Sequence, residues 1–193
     1  IADRKHAATL AGKIRDELGR KWDLMDPNKF EFCIIKDFPM YEWNEEEEKY
    51  DFTHNPFNNP KGGSKALENE NIDEIVAEQF DFVCNGVEMA SGAVRNHDPE
   101  VMKKAFAVVG LGEDVIEEKF GALYTAFQYG APPHAGMAPG IDRMLMMLLD
   151  EDSIRETIAF PLNANGADSL MQAPSDISEL QLREAHIKIR EKN

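Results

Sequence analysis

A mixed domain of strands and helices is what this sequence predicts, on three observations. Phe80, Phe82 and Cys84 alternate with Asp81, Val83 and Asn85, the period of a strand with two distinct faces. An apolar run over residues 30–35 (Phe30, Phe32, Cys33, Ile34, Ile35), closed by Pro39, reads as a buried strand. Val115, Ile116, Phe120, Leu123, Tyr124 and Phe127 recur at helical spacing and form one apolar stripe. At 193 residues a single domain with a real core is expected. These periods do not say how the strands pair.

The chain carries a formal charge of −15, a poor match for gripping a phosphate backbone by itself. Its two cysteines, Cys33 and Cys84, lie in apolar strand-like runs and read as small buried hydrophobes of a reducing cytoplasm. No Cys/His spacing suggests zinc, and no apolar run approaches membrane length. The chain begins at Ile1 without a charged-then-apolar leader.

In chain order, residues 1 to about 28 read as helical. Ile1, Ala8, Leu10, Ala11, Ile14 and Leu18 fall near a 3.6 period, and Gly19 or Asp26-Pro27 ends the run. After the strand at 30–35, the acidic run 45–48 is a solvated hairpin tip, and Tyr50-Asp51-Phe52 returns as a partner strand that delivers His54. Lys61-Gly62-Gly63-Ser64 opens a polar connection to residue 71, and 72–79 is a short helix at best, with no chemistry assigned. Asp98 caps a helix with Pro99 at its first position, running to about Val109. Gly110 and Gly112 end it, and the striped helix follows from about 113 to 129. Residues 144–149 are a continuous apolar helix candidate. Glu151-Asp152-Ser153 caps a turn into 154–160, ended by Pro161, and 162–175 is irregular. A terminal helix is expected from Ser178 to about Arg190, with 186–189 equally readable as a short strand.

Two stretches carry candidate chemistry. In the first, Glu88 and Arg95 sit seven apart among Ala90, Ser91, Gly92 and Ala93. An odd spacing puts them on opposite faces of a regular strand unless a bulge or turn intervenes. Small neighbours let a ligand approach the backbone, and a charge among apolar residues needs a partner; an internal salt bridge would serve as well. In the second, a Gly/Pro-rich loop from Tyr129 runs into Gly140-Ile141-Asp142-Arg143 at a helix start. An arginine there suits a phosphate or a stacked base, though such a pair is more often a cap and a surface ion pair.

Taken together these stretches resemble class II aminoacyl-tRNA synthetases, and in detail aspartyl-tRNA synthetases of the bacterial type. Ordered matches extend over nearly the whole chain: Leu24-Met25-Asp26-Pro27, Lys36-Asp37-Phe38-Pro39, Thr53-His54-Asn55-Pro56-Phe57, Asn85-Gly86-Val87-Glu88, Arg95-Asn96-His97, the loop from Gly130 to Gly136 with His134, and Ile154-Arg155-Glu156-Thr157. Gly140–Arg143 matches motif 3 of the class. The resemblance implies an α+β fold, an antiparallel sheet flanked by helices. It implies residues 1–28 as the tail of an inserted domain and 29–193 as the C-terminal half of the catalytic domain. Motifs 1 and 2 and the anticodon-binding domain are not in these residues, so a C-terminal fragment, inactive alone, is expected.

The implied reaction joins L-aspartate and ATP into aspartyl-adenylate and transfers the aspartyl group to the 3′ end of tRNA, in a cytoplasmic homodimer. Positioning and electrostatic stabilisation suffice for it. By resemblance, Arg95 pairs with the aspartate side-chain carboxylate, and His54 lines the amino-acid pocket. Glu88 acts at the ATP phosphates through Mg²⁺. Asp81, seven residues earlier on the same strand, is a weaker metal candidate. Ser91 follows the archaeal and eukaryotic pattern in which a serine assists the metal. Gly140, Ile141, Asp142 and Arg143 contact ATP, and His134 is structural. Asn55 departs from the bacterial pattern, which has a second histidine there. The rival readings are an asparagine or lysine ligase of the same class, and a non-catalytic synthetase-like binding module.

Overall fold

Helix α1 covers Arg4–Lys21 and closes on Arg20 and Lys21, cations that suit the carbonyl end of a helix. Gly19 lies inside it rather than ending it. In this computed structural model the described residues are 4–26 and 28–190; the expectations placed on Ile1 and Pro27 lie outside them. The chain divides into two units, Ile1–Pro139 and Gly140–Asn193.

Strand β1 (Phe32–Pro39) is followed by a hairpin of β2 (Tyr41–Asn44) and β3 (Lys49–Phe52). The acidic run forms the hairpin tip as expected: Asn44 Oδ1 accepts from the amides of Glu46 and Glu47 at 3.0 and 3.1 Å. The returning strand pairs with β2, in a two-stranded sheet of its own. The stretch 72–79 departs from the expected short helix. Only Ile72–Glu74 makes a 3₁₀ turn, and strand β4 begins at Val76 and runs to Cys84. Asp73 and Glu74 imitate a helix start, but Ile75, Ala77 and Gln79 are buried in alternation, which is strand periodicity.

Asn85 and Gly86, with φ of 47° and 82°, make the tight turn into β5 (Val87–Val94), the left-handed geometry that an Asn-Gly pair supplies at little cost. Asp81 and Glu88 therefore stand on neighbouring strands, not on one.

Asp98 caps α2 (Pro99–Val108), its carboxylate accepting from the amides of Glu100 and Val101. Helix α3 spans Glu113–Gln128, and β6 covers Ala135–Pro139. In the second unit, α4 is Ile141–Leu149, Ser153 caps a 3₁₀ turn at Ile154–Thr157, and α5 is Glu179–Glu184. The terminal helix is shorter than expected because His186 takes φ of 54°, which breaks a right-handed helix; residues 186–189 form no strand either.

The main sheet runs β1-β4-β5-β6, every neighbour antiparallel, with helices beside it: the expected α+β class. Two apolar clusters form the core. Met40, Tyr41, Ile75 and Ala77 pack with Ala105 of α2 and Val109 at its end; Met102 and Phe106 pack with Ile116, Tyr124 and Phe127 of α3. Phe52 touches both. Strand β1 was expected to be buried, yet Phe32, Ile34 and Cys33 are exposed. Among the described residues it is an edge strand, paired with β4 alone. Cys84, on the inner strand, is buried as expected.

Candidate active site

The register between β4 and β5 decides which side chains share a face. Phe82 lies opposite Ala90, but Val83 lies opposite Glu88, so Met89 is an extra residue on β5. One extra residue inverts the alternation beyond it. Consecutive Met89 and Ala90 are accordingly both buried. The bulge brings Glu88 onto the face of Ser91, Ala93 and Arg95, where an uninterrupted strand would have put it on the other side. Asp81 joins this face as the direct partner of Ser91.

A cleft of about 500 Å³ opens on this face, lined in part by Asn55, Phe57, Ser91, Ala93 and Arg95. The loop 53–60 builds its wall and is stitched to the sheet by backbone bonds: Asn59 N donates to Val94 O at 2.9 Å, Glu78 N to Asn59 O at 2.8 Å, and Asn96 N to Phe57 O at 2.8 Å. Asn58 forms an isolated bridge to Arg95, whose own amide donates to His134 O at 2.9 Å. The base of the Arg95 side chain is thus fixed from both sides. Its guanidinium carbon lies 5.6 Å from the centre of the Phe57 ring, within cation–π range. Among the described residues it makes no ion pair. A half-buried, oriented fork of donors facing a cleft favours a carboxylate or phosphate over any neutral ligand.

The open space depends on small residues. A Cβ on Gly92 would come within 2.5 Å of Gly136 O, 2.6 Å of Phe80 Cζ and 2.8 Å of Met137 Cβ. Glycine here lets β5 and β6 close up while the Phe80 ring lies across the strand.

His54 packs edge-on against Phe38 at 5.4 Å between ring centres and is not among the cleft-lining residues. Its neighbour Asn55 is, and the Asn55 Oδ1 accepts from Phe57 N at 2.9 Å, an Asx turn that shapes the loop. His134 also lines the cleft; its Nδ1 lies 2.8 Å from Pro132 O, so that nitrogen carries the proton.

Asp81, Glu88 and Ser91 offer oxygen atoms only, the donors a hard cation takes. Among the described residues no three His, Cys, Asp or Glu side chains gather into a metal site. The set therefore fits Mg²⁺ only as that ion is usually held, by one or two carboxylates with phosphate oxygens completing its shell.

In the second unit, Gly140 precedes the first turn of α4, and Asp142 and half-buried Arg143 stand in that turn. Thr157 Oγ1 shares its one proton between Ile154 O at 2.8 Å and Asp142 O at 3.3 Å, which sets the helix start beside the following 3₁₀ turn.

Two polar cleft residues have no counterpart in the sequence reading. Gln79 and Asn58 are buried and bonded to each other, Asn58 Nδ2 donating to Gln79 Oε1 at 2.9 Å. Reading 72–79 as a short helix hid Gln79; its parity with Asp81 along a strand was the available signal.

An antiparallel sheet with flanking helices floors a cleft whose arginine makes no ion pair among the described residues. The chain belongs to the class II tRNA synthetases: the family model for tRNA synthetases class II (D, K and N) matches residues 5–164. The similarity is more particular among individual proteins. The chain is 56% identical over 187 residues to the aspartate–tRNA(Asp/Asn) ligase of Phenylobacterium zucineum, covering 97% of this chain and 32% of that protein. It is 51% identical over 181 residues to the aspartate–tRNA ligase of Streptomyces coelicolor, covering 94% and 31% respectively. The chain thus spans about a third of the length of these relatives. The fold is similar to that of the aspartyl-tRNA synthetase from Entamoeba histolytica, with a TM-score of 0.51 and 24% identity over 77% of this chain and 25% of that one.

Proposed function

We propose that the protein is an aspartate–tRNA ligase, that its cleft beside Arg95 takes the side-chain carboxylate of L-aspartate, and that ATP converts this substrate to aspartyl-adenylate for transfer to tRNA. The observation that carries the reading is the Arg95 guanidinium, stacked on Phe57 without an ion pair among the described residues. A cation so placed is matched by a substrate anion, and a lysine substrate would bring a like charge. The names of the relatives point the same way.

In this reading Arg95 and His54 serve the amino acid. Glu88 is the acid at the ATP phosphates, with Asp81 and Ser91 beside it; Mg²⁺ bound there would offset phosphate charge. Gly140, Ile141, Asp142 and Arg143 serve the nucleotide, with Arg143 facing developing charge during adenylate formation. Residues 1–28 belong to an inserted domain and 29–193 to the catalytic domain. The assembly is a cytoplasmic homodimer whose tRNA contacts lie outside this acidic chain. An asparagine ligase is the nearest rival.

The test is aspartate-dependent ATP–pyrophosphate exchange by the intact protein. Arg95→Leu should lower aspartate kcat/KM by about 3–5 kcal/mol of transition-state stabilisation, the scale for stranding a buried charge, while the KM for ATP changes little. The 193-residue chain alone should stay at background. Unchanged exchange in Arg95→Leu, or faster exchange with asparagine than with aspartate in the unaltered protein, would sink the reading.

A further inference from the structure

The buried amide pair on the cleft floor has an unused half. Asn58 Nδ2 donates to Gln79 Oε1 at 2.9 Å, which turns the Gln79 amide so that its Nε2 points away from Asn58. Gln79 is only 8% exposed, yet among the described residues its Nε2 has no partner, and it is not among the polar atoms sealed from solvent. Gln79 lines the cleft, and its N–H donors open there.

Register places this donor beside Arg95. Gln79 stands opposite Ala93 on β5, and Arg95, two residues on, is its diagonal neighbour, a spacing that long side chains bridge. Ala93 leaves the space between them open. Asn58 holds Gln79 by its side chain and Arg95 by its backbone bridge, so one residue sets the position of both.

We propose that Gln79, oriented by Asn58, is a further specificity-determining residue of this cleft, donating a hydrogen bond to the same substrate carboxylate that Arg95 pairs with. This rests on the aspartate reading of the cleft. A carboxylate offers an acceptor oxygen to each of the two donors. An asparagine side chain offers one acceptor and one N–H₂, so either Arg95 or Gln79 would face another donor. Burying an unmatched donor pair is the kind of penalty that discriminates between near-isosteres.

Calorimetric binding of L-aspartate and pyrophosphate exchange by the intact protein test this. Gln79→Met keeps the volume and removes the donor. It should raise the Kd and KM for aspartate roughly tenfold or more, as expected for a hydrogen bond to a charged group, leave the KM for ATP unchanged, and narrow the preference for aspartate over asparagine. Gln79→Glu keeps an acceptor for Asn58 but turns an anion toward the substrate, and should weaken aspartate binding further than Gln79→Met; it carries the test if the methionine variant fails to fold. Aspartate binding within twofold of the unaltered protein, or a parallel rise in the KM for ATP, would overturn the proposal. Arg95→Leu run alongside separates the levels. If it abolishes aspartate binding while the Gln79 variants stay within twofold of the unaltered protein, this inference alone fails; if it too is without effect, the aspartate reading fails.

Discussion

The two units of the chain hold themselves together by different means. The first hides two apolar clusters in which Phe106, Met102 and Ile116 are almost wholly removed from water. In the second, Leu182 is the one buried apolar side chain among the described residues, while Ile141, Leu148, Phe160 and Leu170 are exposed. Its order comes from short-range bonds instead. Ser178 and Gln181 form a reciprocal capping box, and Asn163 and Asp168 each accept from two nearby amides. Such bonds, exchanged against water, stabilise by about 1 kcal/mol or less each, whereas burying a large side chain stabilises by roughly 1.5–3 kcal/mol. Local opening is therefore expected first in the second unit.

The largest effect that tests this contrast is the loss of a core ring. Phe106, 1% exposed, touches Phe52 and Phe120, and Phe106→Ala should cost about 3–5 kcal/mol. Leu148→Ala in the second unit, where the side chain is 71% exposed, should fall within about 0.5 kcal/mol of no change. Denaturant unfolding of the intact protein measures both, and comparable losses would break the contrast.

Glycines sharpen it. Gly92 is hemmed by backbone and ring atoms, so Gly92→Ala must push β5 from β6 or displace Phe80, an overpacking cost of about 1–3 kcal/mol. Gly166 in the second unit meets nothing within 4 Å and carries only a positive φ of 70°, worth about 1 kcal/mol when an L side chain is forced there. Hydrogen exchange of the β5 amides should quicken in Gly92→Ala and stay unchanged in Gly166→Ala.

Much of this was legible in the sequence, for identifiable reasons. Asp98-Pro99 announced α2 because a cap and a fixed φ act within one turn; Asn85-Gly86 was an equally local signal for left-handed φ, but reading Asp81 and Glu88 onto one strand passed over it. Arg95 stood out as a charge among small residues. What escaped depended on partners distant in sequence. The exposure of β1 follows from its place at the sheet edge, which its own apolar run cannot state. The bulge at Met89 is set by pairing with β4, so the common face of Glu88 and Arg95 was only one of two outcomes. Gln79 was lost because Asp73 and Glu74 look like a helix start, and a lone amide carries no signal until its neighbour Asn58 is known.

The smallest effect concerns hydroxyls. Tyr41 is buried and donates to Ala105 O at 3.0 Å, and burial pushes its phenol far above the usual tyrosine range. The folded protein then resists ionisation that the unfolded chain undergoes near pH 10. A pKa raised in the folded state means this contribution is whole below about pH 10 and is lost as pH rises beyond it. Tyr41→Phe should cost about 1 kcal/mol at neutral pH by removing the bond, and should make alkaline unfolding less steep than in the unaltered protein. Thr157 makes a similar bond in the second unit, donating to Ile154 O at 2.8 Å, but in an exposed setting, so Thr157→Val should stay within about 0.5 kcal/mol of no change. Unfolding followed from neutral pH to beyond pH 10 reads both. Equal losses in the two variants, or an alkaline slope untouched by Tyr41→Phe, would show that burial does not separate the two units.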